Sequence, residues 1–539
     1  MRVVALLAAA LVLHLVLIQP NHPAALTWRA LLLFPLELPA ILLMLMALGQ
    51  SAASRVFRLV LTMVLTVLVT LKTADFVSFS ALSRGFNPVT DLSLLDAFFR
   101  LLTGTFGTFA AILIVLAAFF ALAAVAVLTW WATGVWARLP LPRAARFAAA
   151  PLALVATATA TAEIGDAMNR WTLPFSPPGA AFTARVGVER IDLIADTRAR
   201  LAAFNTAARQ DPFTGTTGLF DAIDRDVLVI FIESYGRTSF DTPFYAETHR
   251  ATLETAEERL SDLGLSMQSG FLTSPTQGGQ SWLAHTTFAN GLWVDNQISH
   301  AAALTSGRQT LYHHAAKDGF RTATLMPQIT LDWPESETMG FEDILVAADT
   351  GYAGLPFNWV TMPDQYSLAT LDRMLRDGSD PRRLFAQVAL VSSHAPWTPV
   401  PELLPWDAIG DGTEFNAMAL SGDPPEVVWR DHDRVRDQYR LAIDYSLQVL
   451  LDYAALHAGD PPLIIALGDH QAAGFIALDE RAEVPIHIIG PEALVSRLSE
   501  LAPAPGLLPP DDLPAVGMER ARDIILSAFR TELSEGLGN

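Results

Sequence analysis

The sequence contains no cysteine among its 539 residues. This absence excludes disulfides, thiolate metal sites and cysteine nucleophiles. Basic residues are also few, because 36 lysines and arginines stand against 56 aspartates and glutamates, which gives a formal net charge of −20. A nucleic-acid-binding protein would show a basic stripe, so the charge balance argues against that class. The charge balance does not exclude a lipid or glycan substrate.

Charged residues are scarce in the first third of the chain, where apolar residues dominate. This part contains five candidate membrane spans, near Val3 to Gln19, Ala30 to Leu48, Val56 to Leu71, Phe106 to Trp131 and Phe147 to Ala162. Each is close to the roughly 20 residues that cross a bilayer, although the third and fifth are short. The alternative is a set of buried core helices. We expect the first span to be retained, because no small-residue cleavage site follows His14 and four more spans come after it.

The arginines of the short connections indicate how these spans are oriented. They all fall on one side if the spans alternate, and they are Arg2, Arg55, Arg58, Arg138, Arg143 and Arg146. That side is expected to be the cytoplasm. We therefore predict a multi-pass protein of the cell inner membrane with a transmembrane domain of five helices over residues 1–165. A juxtamembrane linker with an amphipathic helix over 166–225 and an extracytoplasmic, periplasmic domain over 226–539 would follow.

The outer domain shows an alternation of apolar runs and helix-like stretches. The runs are DVLVIFIES, RTATLM, RLFAQVALVSS, PLIIALGDH and VPIHIIGP. Continuous β-branched runs are typical of buried strands in parallel sheets, and their alternation with helices predicts an α/β fold with a mainly parallel sheet. Ligands of such sheets gather at the carboxyl ends of the strands.

Polar residues stand where several of these runs end. Glu233 ends the first run, Asp469 and His470 end PLIIALGDH, and His394 follows VALVSS. A carboxylate and a carboxylate-imidazole pair at the ends of separate buried strands are typical of a metal site with oxygen and nitrogen ligands. Taken singly, a glutamate after a strand is more often a solvated loop residue, and His394 also fits a packing role.

The segment SPTQGGQSWLAH has a glycine pair that leads directly into Ser281 and an apolar, helix-like run. A helix start of this kind presents a hydroxyl group beside backbone N–H groups and suits a phosphate. We expect the N–H groups from Gly278 to the helix start to stabilise developing negative charge.

The order of these motifs, FIES, GGQSWLAHTTFANG, SSHAPW and LGDHQ behind five spans, resembles the membrane-anchored phosphoglycerol and phosphoethanolamine transferases. These belong to the alkaline phosphatase and sulfatase superfamily and include lipoteichoic acid synthase. The resemblance covers the anchor loosely and residues 226–491 by motif order. It implies a sulfatase-like domain, a divalent metal ion (Mn, Zn or Mg), a membrane phospholipid donor and a glycan or lipid acceptor.

The resemblance also implies roles for individual residues. Glu233, Asp469 and His470 match the metal ligands, and Ser281 matches the nucleophile, which also binds the metal. Most relatives carry threonine at the nucleophile position, so Thr276 in PTQGG is a rival for this role.

The resemblance extends to the substrate pocket with one departure. His394 matches a histidine that contacts the head group, and Trp333 matches an aromatic residue beside it. Met326 and Glu335 stand where a histidine and an arginine are expected, which suggests a different head group or acceptor, including one with an amine. His285, one helical turn after Ser281, is a further candidate for substrate binding or a second metal position.

The expected function is metal-dependent transfer of a phospholipid head-group phosphate through a phosphoserine. With water as acceptor, the same site would make a phosphodiesterase or phosphatase, and a non-catalytic membrane receptor is a further alternative. A sulfatase is disfavoured because the chain has no cysteine and no Ser-x-Pro-x-Arg in the nucleophile region. His487 in VPIHIIGP is interpreted as a strand histidine with a local hydrogen bond, and Arg237 as a phosphate or surface residue.

Overall fold

The computed structural model describes residues 2–82, 84–331 and 333–530 of the chain. The chain divides into two compact units, one up to Arg200 and one from Leu201 onward.

The first unit is helical. Its helices are α1 (Arg2–Ile18), α2 (Glu37–Leu48), α3 (Ala52–Leu82), α4 (Leu95–Phe106), α5 (Thr108–Ala137), α6 (Arg143–Ala167) and α7 (Phe182–Ala208), the last of which crosses into the second unit.

Three of these helices, α3, α5 and α6, are long and apolar enough to cross a membrane. The third and fifth predicted spans are thus longer than expected, with 31 and 25 residues. The second predicted span is interrupted, because a short 3-10 helix over Trp28–Leu32 precedes Pro35 and leaves only 12 helical residues in α2. At 1.5 Å per residue that helix is about 18 Å long, less than the roughly 30 Å of a bilayer core. Five spanning helices are therefore not confirmed.

Buried polar residues hold the first unit together. The Lys72 ammonium group is fully buried and donates hydrogen bonds to the Val16 carbonyl oxygen and to Thr183 Oγ1, at 3.1 and 2.9 Å. Arg190 forms an ion pair with the buried Asp75. Charged groups in an apolar environment persist only when they are paired in this way. The first part of α7 is consequently fixed to the helices of its unit.

The second unit is built on one sheet. Its strands are β1 (Val227–Ile232), β2 (Ser266–Thr273), β3 (Arg321–Met326), β4 (Asp343–Val346), β5 (Leu384–Leu390), β6 (Leu463–Gly468), β7 (Glu483–Gly490), β8 (Ala504–Pro505) and β9 (Val516–Gly517).

The strand order is β4-β3-β5-β1-β6-β7-β2-β8, and β9 pairs with β2. The five strands from β4 to β6 are mutually parallel, whereas β7 runs antiparallel to β6 and β2 antiparallel to β7. The α/β fold is thus as predicted, but the sheet is mixed. The prediction of a mainly parallel sheet is therefore not confirmed, although five neighbouring strands are parallel.

Helices cover both faces of this sheet. They are α8 (Thr238–Asp241), α9 (Pro243–Asp262), α10 (Ser281–Asn290), α11 (Gln297–Thr305), α12 (Leu311–Lys317), α13 (Asp364–Leu375), α14 (Asn416–Ala419), α15 (Pro425–Val428), α16 (His432–Leu456), α17 (Gly474–Ala477), α18 (Glu492–Val495) and α19 (Ala521–Ala528). Alternate residues of the central strand contribute to two separate hydrophobic clusters, Leu228 and Ile230 to one and Val229 and Phe231 to the other. A strand buried on both sides explains why β1 reads as an unbroken apolar run.

His487 lies in β7 and is almost fully buried, in agreement with its interpretation as a strand histidine. Its Nε2 lies 3.0 Å from the Tyr235 hydroxyl group and its Nδ1 lies 2.7 Å from Ser269 Oγ. Burial lowers the pKa of His487 from 6.5 to about 3. The folded chain therefore holds this imidazole neutral over a pH range in which the unfolded chain protonates it.

We expect the His487→Gln variant to be less sensitive to acid than the parent chain. Between pH 6.5 and about 3 only the unfolded state binds a proton at this position. Stability thus falls as the pH falls, by about 1.4 kcal/mol per pH unit for one proton. Thermal unfolding of the full chain in detergent, followed by tryptophan fluorescence across this range, measures the slope. Equal slopes for parent and variant would contradict the interpretation.

Candidate active site

Glu233, Asp469 and His470 meet at the carboxyl ends of β1 and β6. These strands are parallel neighbours, and Ile232 pairs with Gly468, so the next residue of each strand, Glu233 and Asp469, stands opposite the other. The three residues are buried, and their candidate ligand atoms all lie within 4.8 Å of one another. His470 Nε2 lies 3.1 Å from Glu233 Oε1 and 3.9 Å from Asp469 Oδ2. The structure thus brings together the three predicted metal ligands.

The two carboxylates of this cluster influence each other's protonation. Burial, and then the charge of Glu233, raise the pKa of Asp469 above its ordinary value. Burial also opposes ionisation of Glu233, but the charge of His470 and its hydrogen bond lower the pKa of Glu233. Burial works against protonation of His470, but the charges of Asp469 and Glu233 raise its pKa to about 9. Two buried carboxylates beside one imidazole therefore favour positive charge at this place.

The donor set of this cluster fits a divalent cation. His470 Nδ1 lies 3.1 Å from the Gln471 carbonyl oxygen, which only accepts, so Nδ1 carries a proton and Nε2 is the atom directed at the carboxylates. Metal-binding imidazoles are usually held by a hydrogen bond of this kind. Two carboxylates with one imidazole are a mixed oxygen and nitrogen set, which suits Mn, Mg or Zn.

A turn of three residues with positive φ precedes α10. The φ angles are 73° at Gly278, 141° at Gly279 and 69° at Gln280. Glycine adopts such angles at little cost, whereas the left-handed conformation of Gln280 is unfavourable for a residue with a side chain. The Gly278 N–H group donates to the Gln471 carbonyl oxygen at 2.8 Å, which ties the turn to the segment after β6.

Ser281 is the first residue of α10 and lies against the carboxylate cluster. Its hydroxyl group donates to Glu233 Oε2 at 2.9 Å, and its Oγ lies 3.3 Å from His470 Nε2. The side chain is only partly buried, so the hydroxyl group combines contact with the cluster and access from outside.

The turn and the start of α10 supply backbone N–H groups that adjoin Ser281 in the sequence. Within the described part of the chain, those of Gly279, Gln280 and Ser281 have no hydrogen-bond partner. A side chain at Gly279 would meet nothing within 4 Å, so the turn is open at this point. The expectation for Gly278 was wrong, since its N–H group is already used by Gln471. The donors that remain are the N–H groups of Gly279, Gln280 and Ser281 at the start of the helix, a place that favours negative charge.

Thr276, the rival for the nucleophile role, has a structural contact. Its hydroxyl group donates to the Gly279 carbonyl oxygen at 2.6 Å, and the residue is 8% exposed. This hydrogen bond stabilises the turn. Of the two hydroxyl groups, that of Ser281 contacts the carboxylate cluster.

His394 lies in the turn after β5. Its Nδ1 lies 2.5 Å from the Ala395 carbonyl oxygen and therefore carries a proton, and Nε2 has no partner among the residues that the structure describes. The ring lines a small cavity together with Phe357, Val360 and Trp397. His394 also contributes to the low pKa of Glu233, which places it within electrostatic range of the cluster.

The other two substrate candidates, His285 and Trp333, differ in their surroundings. His285 is 4% exposed and its ring centroid lies 4.1 Å from that of Phe231. Burial lowers the pKa of His285 to about 4. Trp333 is half-buried and packs at 6.5 Å from Phe341. Within the described residues, no hydrogen bond or ring contact joins Trp333 to the cluster.

Arg237 has neither of the two roles considered for it. It is 3% exposed and forms ion pairs with Asp241 and Glu483, at 3.0 and 2.8 Å. Its guanidinium group also lies 3.8 Å above the Phe271 ring. This arginine is a buried structural residue.

Several residues that the motifs did not single out hold the site in place. Ser393 Oγ donates to the Glu233 carbonyl oxygen and Ser274 Oγ to the Asp469 carbonyl oxygen, both at 2.6 Å. The buried Asp364 accepts the N–H groups of Val391 and Ser392, at 2.6 and 2.8 Å, and so fixes the turn that leads to His394. Single serines and aspartates of this kind carry no pattern that would mark them in a sequence.

Comparisons with known proteins found similar structures only. No family model and no curated protein matches the chain. The lipoteichoic acid synthase LtaP from Listeria monocytogenes is 12% identical, with 61% of this chain and 78% of that chain covered and a TM-score of 0.37. The phosphoglycerol transferase GacH from Streptococcus pyogenes is also 12% identical, with 62% and 91% covered and a TM-score of 0.34.

A longer match is the integral membrane phosphoethanolamine transferase EptA from Neisseria meningitidis. It is 11% identical, with 88% of this chain and 84% of that chain covered and a TM-score of 0.40. These proteins are of the kind that the motif order resembles. Likenesses of this size assign no substrate, metal or residue role to this chain.

We expect Asp469→Asn and Glu233→Gln to weaken metal binding by about 100-fold or more, because each removes one anionic ligand. The full chain in detergent is incubated with Mn²⁺ or Zn²⁺, freed of unbound ions by gel filtration and analysed by mass spectrometry of the metal. The parent chain should retain about one ion. Glu342→Gln, which changes an exposed carboxylate paired with Arg382, is the matched control. Equal metal content in all four proteins would refute the site.

Proposed function

We propose that the chain is a metal-dependent phosphotransferase that moves the phosphorylated head group of a membrane phospholipid to an acceptor hydroxyl group. The donor carries phosphoglycerol or phosphoethanolamine, and the acceptor is an extracytoplasmic glycan or lipid. The observation that supports this most is the position of Ser281, whose hydroxyl group contacts Glu233 and His470 at the start of a helix with free N–H groups.

In the first half-reaction Ser281 attacks the phosphorus atom of the donor. A bond forms between Ser281 Oγ and phosphorus, the bond from phosphorus to the diacylglycerol oxygen breaks, and the head-group phosphate remains on the serine. The hydroxyl proton leaves along the hydrogen bond to Glu233 Oε2, which is 2.9 Å long. The N–H groups of Gly279 and Gln280 stabilise the negative charge that builds on the phosphoryl oxygens.

Glu233, Asp469, His470 and Ser281 are the residues that would hold the metal ion. When bound, a divalent cation lowers the pKa of a nearby hydroxyl group and polarises a phosphoryl oxygen. The protein contributes the buried carboxylates that attract the ion and the hydrogen bond at His470 Nδ1 that directs Nε2 toward it.

His394 is the proposed acid for the leaving group. Its Nδ1 proton is held by the Ala395 carbonyl oxygen, and in the imidazolium form its Nε2 carries a second proton that passes to the departing diacylglycerol oxygen. In the second half-reaction the now neutral Nε2 accepts the proton of the acceptor hydroxyl group. Attack by that hydroxyl group breaks the bond between Ser281 Oγ and phosphorus, and Glu233 returns its proton to Ser281 Oγ, which regenerates the serine.

The remaining site residues are proposed to select the head group. We propose that His285 and Trp333 contribute to substrate binding, His285 from beneath the cluster and Trp333 from the loop after β3. The exposed carboxylate of Glu335 favours a head group or acceptor with an amine over one that carries further negative charge.

The membrane unit supports the choice of a lipid donor. Three apolar helices of 25 to 31 residues would anchor the protein in the bilayer that contains the donor. We propose a multi-pass protein of the cell inner membrane whose catalytic unit faces the periplasm. Water in place of the acceptor would give a phosphodiesterase, and a chain that binds no metal would be a membrane receptor.

The test is the release of diacylglycerol from labelled phosphatidylglycerol and phosphatidylethanolamine by the full chain in detergent, with and without Mn²⁺ or Zn²⁺. We expect metal-dependent release from one of these lipids. Ser281→Ala should lower the rate by about 1,000-fold or more, because it removes the nucleophile. Ser281→Thr keeps a hydroxyl group and should stay within about tenfold of the parent rate.

Thr276→Val is the matched control, since it removes the other hydroxyl group of the same turn. The rate of Thr276→Val should exceed the rate of Ser281→Ala by at least about 100-fold. The opposite order of the two variants would assign the nucleophile to Thr276. No release from either lipid would overturn the proposed donor.

A further inference from the structure

A cavity of about 450 Å³ lies beyond the carboxyl end of β4. The candidate active site also lies at the carboxyl ends of the parallel strands. Its lining includes Asp349, which follows β4 closely, and Asp411 from a separate loop. The strand order β4-β3-β5-β1 places three strand spacings, about 14 Å, between the ends of β4 and β1. The volume lies within the range of about 300–1,000 Å³ that is usual for ligand sites.

Arg373 is the cation of this cavity and is held by one of its three nitrogens. Its Nη2 donates to the Thr350 carbonyl oxygen at 3.1 Å, and to the Tyr366 hydroxyl group and Thr370 Oγ1, both at 3.0 Å. Nε and Nη1 have no partner within the described ranges of the chain. The guanidinium group is therefore fixed in position and keeps donors available for a ligand.

The two carboxylates are held in the same manner. Asp349 Oδ2 accepts the Val346 N–H group at 3.0 Å. Asp411 Oδ1 accepts the Thr413 N–H and hydroxyl groups, at 3.1 and 2.7 Å. The second oxygen of each carboxylate has no partner in the part of the chain that the structure describes. Both side chains are anchored and keep an acceptor available.

This combination of charges selects the chemistry of the ligand. Two carboxylates oppose a phosphate or another anion, and the guanidinium group opposes a simple cation. A hydroxyl group accepts a hydrogen bond from arginine and donates one to a carboxylate, so a ligand with several hydroxyl groups satisfies all three side chains. A sugar is the class of ligand that meets these requirements.

The cavity is connected to the candidate active site by a single loop. Residues 349–351 line the cavity, and Phe357 and Val360 of the same loop line the small cavity of His394. The Ala353 N–H group donates to the Asp411 carbonyl oxygen at 2.8 Å, which joins the loop to the opposite wall. This loop therefore connects the larger cavity with the cavity that His394 lines.

We propose that this cavity binds a sugar residue of an oligosaccharide acceptor, several ångströms away from the hydroxyl group that receives the phosphate. The acceptor role depends on the proposed function, whereas the binding of oligosaccharide does not. The proposal narrows the acceptor from a glycan or lipid to a glycan.

The test measures binding of three neutral glucose tetrasaccharides, maltotetraose, cellotetraose and isomaltotetraose, to the full chain in detergent by saturation-transfer-difference NMR. The variants are Asp349→Asn and Asp411→Asn, singly and together. Asparagine keeps one oxygen for the hydrogen bonds to Val346 and Thr413, so the loops stay in place. Asp460→Asn is the matched control. Asp460 is an exposed aspartate just before the amino end of β6, whereas the cavity lies at the carboxyl end of β4.

We expect at least one tetrasaccharide to bind, each single variant to weaken binding by about tenfold, and the control to bind like the parent. Diacylglycerol release without an acceptor should be the same in all of these proteins, while transfer to the bound tetrasaccharide falls in the cavity variants. No binding of any of the three, or equal binding by the double variant, would overturn the proposal. A failure of diacylglycerol release would instead refute the donor reaction and leave the binding result intact.

Discussion

The site depends on the register between β1 and β6, which forces two buried carboxylates to stand side by side. Glu233 and Asp469 directly follow paired residues of adjacent parallel strands, so the two residues stand opposite each other at the carboxyl ends of the strands. Two buried negative charges require a positive partner. Within the described residues, His470 is the side chain that contacts both carboxylates. Hydrogen bonds from Ser393 and Ser274 to the two backbones hold this arrangement. The register of the sheet therefore brings the three candidate metal ligands together.

The turn before α10 is the second element that the site requires. Three consecutive residues with positive φ direct Ser281 at the carboxylates and leave N–H groups free beside it. The conformation of Gln280 costs on the order of 1 kcal/mol, which the hydrogen bonds of Thr276 and Gly278 offset. Since the Gly278 N–H group donates to the Gln471 carbonyl oxygen, the turn before Ser281 and the segment after β6 form one connected structure. The glycine pair in the sequence reflects this geometry.

Four of the five parallel strands and their polar ends could be predicted from the sequence, because a strand buried on both faces leaves an unbroken apolar run, as in β1 and β6. The short β4 was not predicted, and neither was β2, because SMQSGFLT mixes polar and apolar residues without such a run. The antiparallel direction of β7 depends on its connection and not on its composition. Pro35 in the sequence indicates a break before α2. The number of helical residues left to the second span is known only from the folded chain. The residues that fix the site, such as Asp364, act through single hydrogen bonds that leave no pattern.

The central claim is that Ser281 carries the head-group phosphate between the two half-reactions. The most direct measurement is peptide mass spectrometry of the full chain after incubation with metal and phospholipid in the absence of an acceptor. We predict that the peptide containing Ser281 carries the phosphorylated head group of the donor, with fragmentation that places it on Ser281. Release of diacylglycerol with no adduct on this peptide, or with the adduct on Thr276, would contradict the account.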